Sequence, residues 1–220
     1  MKYRHLLPVG AVLAVTVGVG YLVHLRRVQE PLRSFSDRAL EAIDARDGAT
    51  LAEMMYPAER RATELDSRKI GRLIDWFRAS VRDFKIEDRS FRADKDRDAV
   101  AAVERYYRAP DGRETTLSLY VVRTENGPQL FLTHALVTGA LLAKYRGRFM
   151  NEPDQVAHWK AIQTGLAAER PFFESLPLRG VTDTGGEATF LPWAQWARFA
   201  DRTIRDQEKA YEQRKASGQS

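Results

Sequence analysis

TLSLYVVRTENGPQLFLTHALV, residues 116–137, sets the architecture of this 220-residue chain. Leu117, Leu119 and Val121 recur at every second position, the period of a strand with one face buried. Glu125-Asn126-Gly127-Pro128 is a turn, and QLFLTHALV after it reads as the returning strand, with His134 on the face of Leu130, Leu132 and Leu136. Working backwards, Pro110-Asp111-Gly112 marks another turn, preceded by AVAAVERYYR (99–108), where Tyr106 shares a face with Val100, Ala102 and Glu104. Phe84 and Ile86 alternate with charged residues before that. Three or four antiparallel strands in a meander are expected.

Before Ser80 the period is helical. Ser36 is placed to cap DRALEAIDARD, whose Leu40 and Ile43 share one face and which Asp47-Gly48 ends. Thr50 is placed to cap TLAEMMY, stopped by Pro57; AERRATEL leads to Asp66-Ser67, and Ile70, Leu73, Ile74 and Phe77 form the stripe of a stronger helix. Helices followed by a meander make the chain α+β.

The phrase ALEAIDARDGATLAEMMYPAER (39–60) joins Ala42-Ile43-Asp44-Ala45-Arg46-Asp47 to a short Ala/Leu-rich helix and a turn with Tyr56, Pro57, Glu59 and Arg60. With Trp76-Phe77 on the next helix and a curved meander behind it, residues 34–147 resemble the nuclear transport factor 2-like superfamily. That resemblance implies a cone of three helices wrapped on an antiparallel sheet. In catalytic members a Tyr and carboxylates or His face the cone's apolar cavity. The candidates here are Asp75, Tyr106 and His134, although no local motif assigns them that role. Similar anchored domains of the superfamily serve as scaffolds in bacterial envelope and secretion assemblies.

LLPVGAVLAVTVGVGYLVHL, from Leu6 to Leu25, has no Asp, Glu, Lys or Arg in twenty residues. As a helix it extends ~30 Å, the thickness of a bilayer core. The stretch is longer than the core of a cleaved signal peptide and is flanked by Arg26-Arg27. The expectation is therefore a signal anchor: 1–27 a cytoplasmic stub and single transmembrane helix, 28–33 a linker broken by Pro31, and an extracytoplasmic domain in the cell envelope. Gly10, Ala14 and Gly18 form a small-residue stripe for helix association.

Residues 148–215 hold three of the four tryptophans and read as an aromatic-rich helical extension, with 216–220 a disordered tail. Val156, Trp159, Ile162 and Leu166 stripe one helix; Trp193, Trp196, Phe199 and Ile204 stripe the last, which Pro192 opens; PFFESLPLRGVTDTGGEATFLP between them is irregular. Trp159, Trp193, Trp196 and Phe199 are the binding candidates, for a protein partner or for the preceding domain.

The formal charge of +5 is concentrated at the start: residues 1–33 carry five basic side chains against Glu30 alone, leaving +1 for the rest. Alternating signs such as Arg92-Ala-Asp-Lys-Asp-Arg-Asp98 give no basic face, so nucleic acid is not an expected partner. Without cysteine there is no disulfide framework or thiolate chemistry, and His5, His24, His134 and His158 have no ligand spacing, so neither metal nor cofactor is expected. No nucleophile elbow, phosphate loop or dinucleotide fingerprint occurs. The sequence leans away from an enzyme. It points to a membrane-anchored, non-catalytic protein-interaction or scaffold domain; the alternative is a small-molecule binder or isomerase/dehydratase-like enzyme using the cone cavity.

Overall fold

Helical period ends at Ser80 and the chain turns to strand at Lys85; among the described residues four helices precede the sheet. A computed structural model describes residues 27, 29–93, 100–176, 178–183 and 188–217. The first four helices are α1 (Glu30–Ala45), α2 (Gly48–Met54), α3 (Pro57–Thr63) and α4 (Ser67–Ser80). Strands β1 (Lys85–Ala93), β2 (Val100–Arg108), β3 (Glu114–Thr124) and β4 (Gly127–Phe131) follow, then α5 (Leu132–Tyr145), a 3-10 turn at Arg146–Phe149, α6 (Asp154–Ala168) and α7 (Arg170–Glu174). The hairpin β5 (Arg179–Asp183) and β6 (Ala188–Pro192) leads to α8 (Trp193–Ala216).

The capping residues differ from those expected. Ser36 lies inside α1 and donates to the Leu32 carbonyl at 2.8 Å, while α1 starts at Glu30 with Pro31 in its first turn, where a missing N–H costs least. Asp47, not Thr50, caps α2, accepting from the Thr50 amide at 3.0 Å; Asp66 caps α4 through the Lys69 amide at 2.7 Å.

β1 to β4 form an antiparallel meander in chain order. Gly112 (φ +83°) and Gly127 (φ +100°) supply the left-handed backbone that its last two turns require. Alternation divides the faces. Val103, Leu117, Leu119, Val121 and Leu130 are buried, while Tyr106, Thr116, Ser118 and Tyr120 lie on the opposite face, with Tyr120 exposed. Arg105 is the charged exception on the inner face; its guanidinium donates twice to Asp44 of α1, at 2.6 and 2.9 Å.

The returning strand is shorter than its sequence implies. β4 stops at Phe131, and Leu132–Tyr145 is a helix, so His134 sits on α5 and not on a strand. The reason is burial on all sides: LTHALVTGALLAKY is apolar around its circumference, and alternation in its first residues satisfied either period. α5 packs on β3, α4 and α6, making it the central layer. Its first two amides donate to Glu59 of α3, from Leu132 at 3.0 Å and Thr133 at 2.8 Å, which binds the β4–α5 junction to α3.

Two expectations are corrected. The cone of three helices on a sheet is replaced by eight helices, a four-stranded meander and a separate two-stranded hairpin among the described residues. The single-pass membrane expectation, with its signal anchor and extracytoplasmic placement, is corrected because no described helix is long and apolar enough to cross a membrane. The run Leu6–Leu25, with Gly10, Ala14 and Gly18, lies outside the described residues.

Candidate functional site

The C-terminal elements frame a cleft, and each wall has a sequence reason to be where it is. α6 lies close against α5 because Gly165 has no side chain; a Cβ there would meet Leu141 Cδ2 at 2.5 Å and Tyr145 Cδ2 at 2.9 Å. α7 is held by Glu169, which accepts from Lys144 Nζ (2.8 Å), Tyr145 Oη (2.9 Å) and Trp76 Nε1 (3.3 Å). These donors hold the Glu169 carboxyl below its usual range although burial pulls it upward. Phe172 stacks on Trp76 with centroids 4.6 Å apart, and Phe173 stacks on Trp193 at 5.1 Å. α8 then runs along α6, with Trp193, Trp196, Ala200 and Ile204 turned inward at helical spacing.

The space left between α6, α7 and the start of α8 is a cleft of about 860 Å³. Leu166, Phe173, Leu176, Leu178, Trp193 and Ala197 make its apolar walls; Gln163, Arg170, Glu174, Ser175, Arg198 and Asp201 supply its polar groups. Both carboxylates are already engaged: Glu174 pairs with Arg170 at 2.6 Å, and Asp201 with Arg205 at 2.7 Å. Such a wall binds by excluding water from apolar surface.

Trp159, Trp193, Trp196 and Phe199 come together as one cluster. Trp196 is its hub, 5.4 Å from Trp159, 5.4 Å from Trp193 and 6.3 Å from Phe199 by ring centroid. Most of that aromatic surface holds α8 on the domain: Trp196 is 1% exposed and Trp193 8%, and of the four only Trp193 also lines the cleft.

Asp75, Tyr106 and His134 do not converge. Asp75 is exposed on α4 and ion-paired with Arg46. Tyr106, on the outer face of the sheet, donates to Glu104 Oε2 at 2.6 Å, beside Arg92, which reaches Glu104 Oε1 at 2.8 Å. His134 lies edge-on to Trp196 at 5.5 Å, and its Nδ1 is buried without a hydrogen-bond partner among the described residues. Burial, and secondarily the nearby His158, lowers its pKa to about 4. His158 is shifted the same way, by burial first and then by Arg146. Among the described residues no group of three or more His, Asp or Glu side chains could hold a metal ion.

The cleft residues Phe173, Leu176, Leu178, Ala197 and Arg198 were not singled out by sequence reasoning, because they lie in an irregular stretch and a helix start that only tertiary packing joins. Pro171-Phe172-Phe173 was the one available signal, a pair of large aromatics beside a helix breaker. Glu59, which the sequence places in a turn, is fully buried, and burial lifts its pKa to about 7, against the bonds from Thr133 and Leu132.

No family model matches the chain, and no curated protein and no solved structure does either. Nothing in these comparisons identifies the nuclear transport factor 2-like superfamily.

Proposed function

We propose that this chain is a non-catalytic protein-interaction domain whose cleft between α6, α7 and α8 receives an apolar segment of a partner protein. The observation that carries the reading is an apolar-walled cleft of about 860 Å³ in which every carboxylate is already ion-paired. Trp193 to Asp201, along one wall, is about 12 Å of helix, two turns, which suits a partner helix anchored by residues one turn apart. Against a catalytic reading stand Asp75, Tyr106 and His134, each occupied with different neighbours.

Filling the cleft tests the reading. Ala197→Trp places an indole in the cleft, and Tyr120→Ala alters the exposed sheet face as a control. Proteins that co-purify with the full chain from its native cells are expected to be lost from Ala197→Trp and kept by Tyr120→Ala, with both variants melting as the parent does. Equal retention by the folded Ala197→Trp variant would remove the cleft from the interaction.

A further inference from the structure

We infer that the partner segment taken by this cleft carries acidic side chains that pair with Arg198 in the cleft and Arg72 beside it, and so belongs to an acidic amphipathic helix. The inference rests on the docking reading above and adds the charge of the occupant.

The argument is a census of charges at the rim. Glu174 is taken by Arg170 of its own helix, and Asp201 by Arg205 with a further hydrogen bond from Gln163 Nε2 at 3.2 Å. Arg198 lines the cleft, is exposed, and has neither hydrogen bond nor ion pair with any described residue. Arg72 of α4 lies beside the cleft, outside its lining: its Nη2 donates at 3.1 Å to Oγ of Ser175, which does line it, a neutral partner, and no described carboxylate pairs with Arg72. Two guanidiniums therefore stand at the edge of an apolar surface without counter-charge among the described residues. A cation left beside apolar surface loses hydration when a partner covers it, unless that partner brings an anion. The guanidinium fork fits a carboxylate through two parallel N–H···O bonds. A docked helix with apolar anchors one turn apart and Asp or Glu beside them meets both demands.

The test is selection of random 16-residue peptides displayed on phage against the full chain, with the selected peptides then measured on the parent and on Ala197→Trp. Expected binders combine apolar residues at helical spacing with an excess of Asp and Glu. Repeating the selection on the Arg72→Gln/Arg198→Gln double variant should keep the apolar spacing and lose the acidic excess. Chosen acidic peptides, remade synthetically, should bind the double variant at least tenfold more weakly and lose affinity in 0.5 M salt. Apolar binders without acidic enrichment would overturn the charge inference and leave the docking reading standing. Binders that hold the folded Ala197→Trp variant as tightly as the parent would overturn the docking reading itself. Binding of dodecanoate in the cleft, with no peptide selected, would assign it to a small amphiphile and overturn both.

Discussion

Two buried ionisable groups work against each other in acid, and separating them tests the packing of α5 directly. His134 holds its proton less well in the folded chain than in the unfolded one, with a pKa near 4 against 6.5. As the pH falls through 6.5 the unfolded chain takes up that proton first, so stability present above 6.5 is lost on the way down to 4. Glu59 is the reverse: its folded pKa is near 7 against 4.5, so the folded chain protonates first and stability present below 4.5 is lost as the pH rises through 7. The limiting slope is about 1.4 kcal/mol per pH unit, and because each group is part-titrated at the ends of the window, each changes stability by about 2 kcal/mol between pH 6.5 and 4.5, in opposite directions. Substitution exposes each slope. Relative to the parent, His134→Phe, which keeps a ring against Trp196, should gain about 2 kcal/mol as the pH falls from 6.5 to 4.5. Glu59→Gln should lose about as much over the same range. It should also cost about 1–3 kcal/mol at pH 6.5, because its amide nitrogen cannot accept from the Leu132 or Thr133 amide. Urea denaturation at half-unit steps of pH measures both. If both variants stay parallel to the parent, neither group is shifted and the enclosed environment described for them is wrong.

Other substitutions probe the frame around the cleft. Glu169→Ala strips the acceptor from Trp76, Lys144 and Tyr145 and should cost about 1–3 kcal/mol, with a change in tryptophan fluorescence as α7 loosens; an unchanged melt would deny Glu169 that role. Gly48→Ala drives a Cβ into the Ser67 carbonyl, backbone that cannot rotate aside, whereas at Gly165 the obstacles are the ends of Leu141 and Tyr145. Thermal melts should rank Gly48→Ala as the more destabilising, by about 1–3 kcal/mol against the parent, and the opposite order would contradict the packing at the α2–α4 contact.

The parts legible in the sequence are those with one clear period and one buried face. The Ile70, Leu73, Ile74 and Phe77 stripe gave α4, and Leu117, Leu119 and Val121 gave β3, with the turns at Gly112 and Gly127 where positive φ is needed. α5 was misread because a helix buried all round shows no amphipathic stripe, and its first residues follow directly on a short strand. The tryptophans were recognised as a group, but their division between core and cleft depends on contacts such as Phe173 on Trp193, between residues that separate elements bring together. Arg198 and Arg72 were illegible for the same reason: an arginine lacking a counter-charge is defined by neighbours distant in the chain. Glu59 gave no signal of burial, since charged residues flank it in Arg60 and Arg61.

The claim on which the account rests is that the cleft beside α8 is where this protein is bound. Photo-crosslinking in the native cells, from a benzoylphenylalanine replacing the exposed Glu174 at the cleft rim and separately at position 120, tests that most directly. A discrete adduct from position 174, mapped to an apolar stretch flanked by Asp or Glu in its partner, with none from position 120, is the predicted result. Adducts from position 120 alone would place the interaction on the open sheet face and contradict the account.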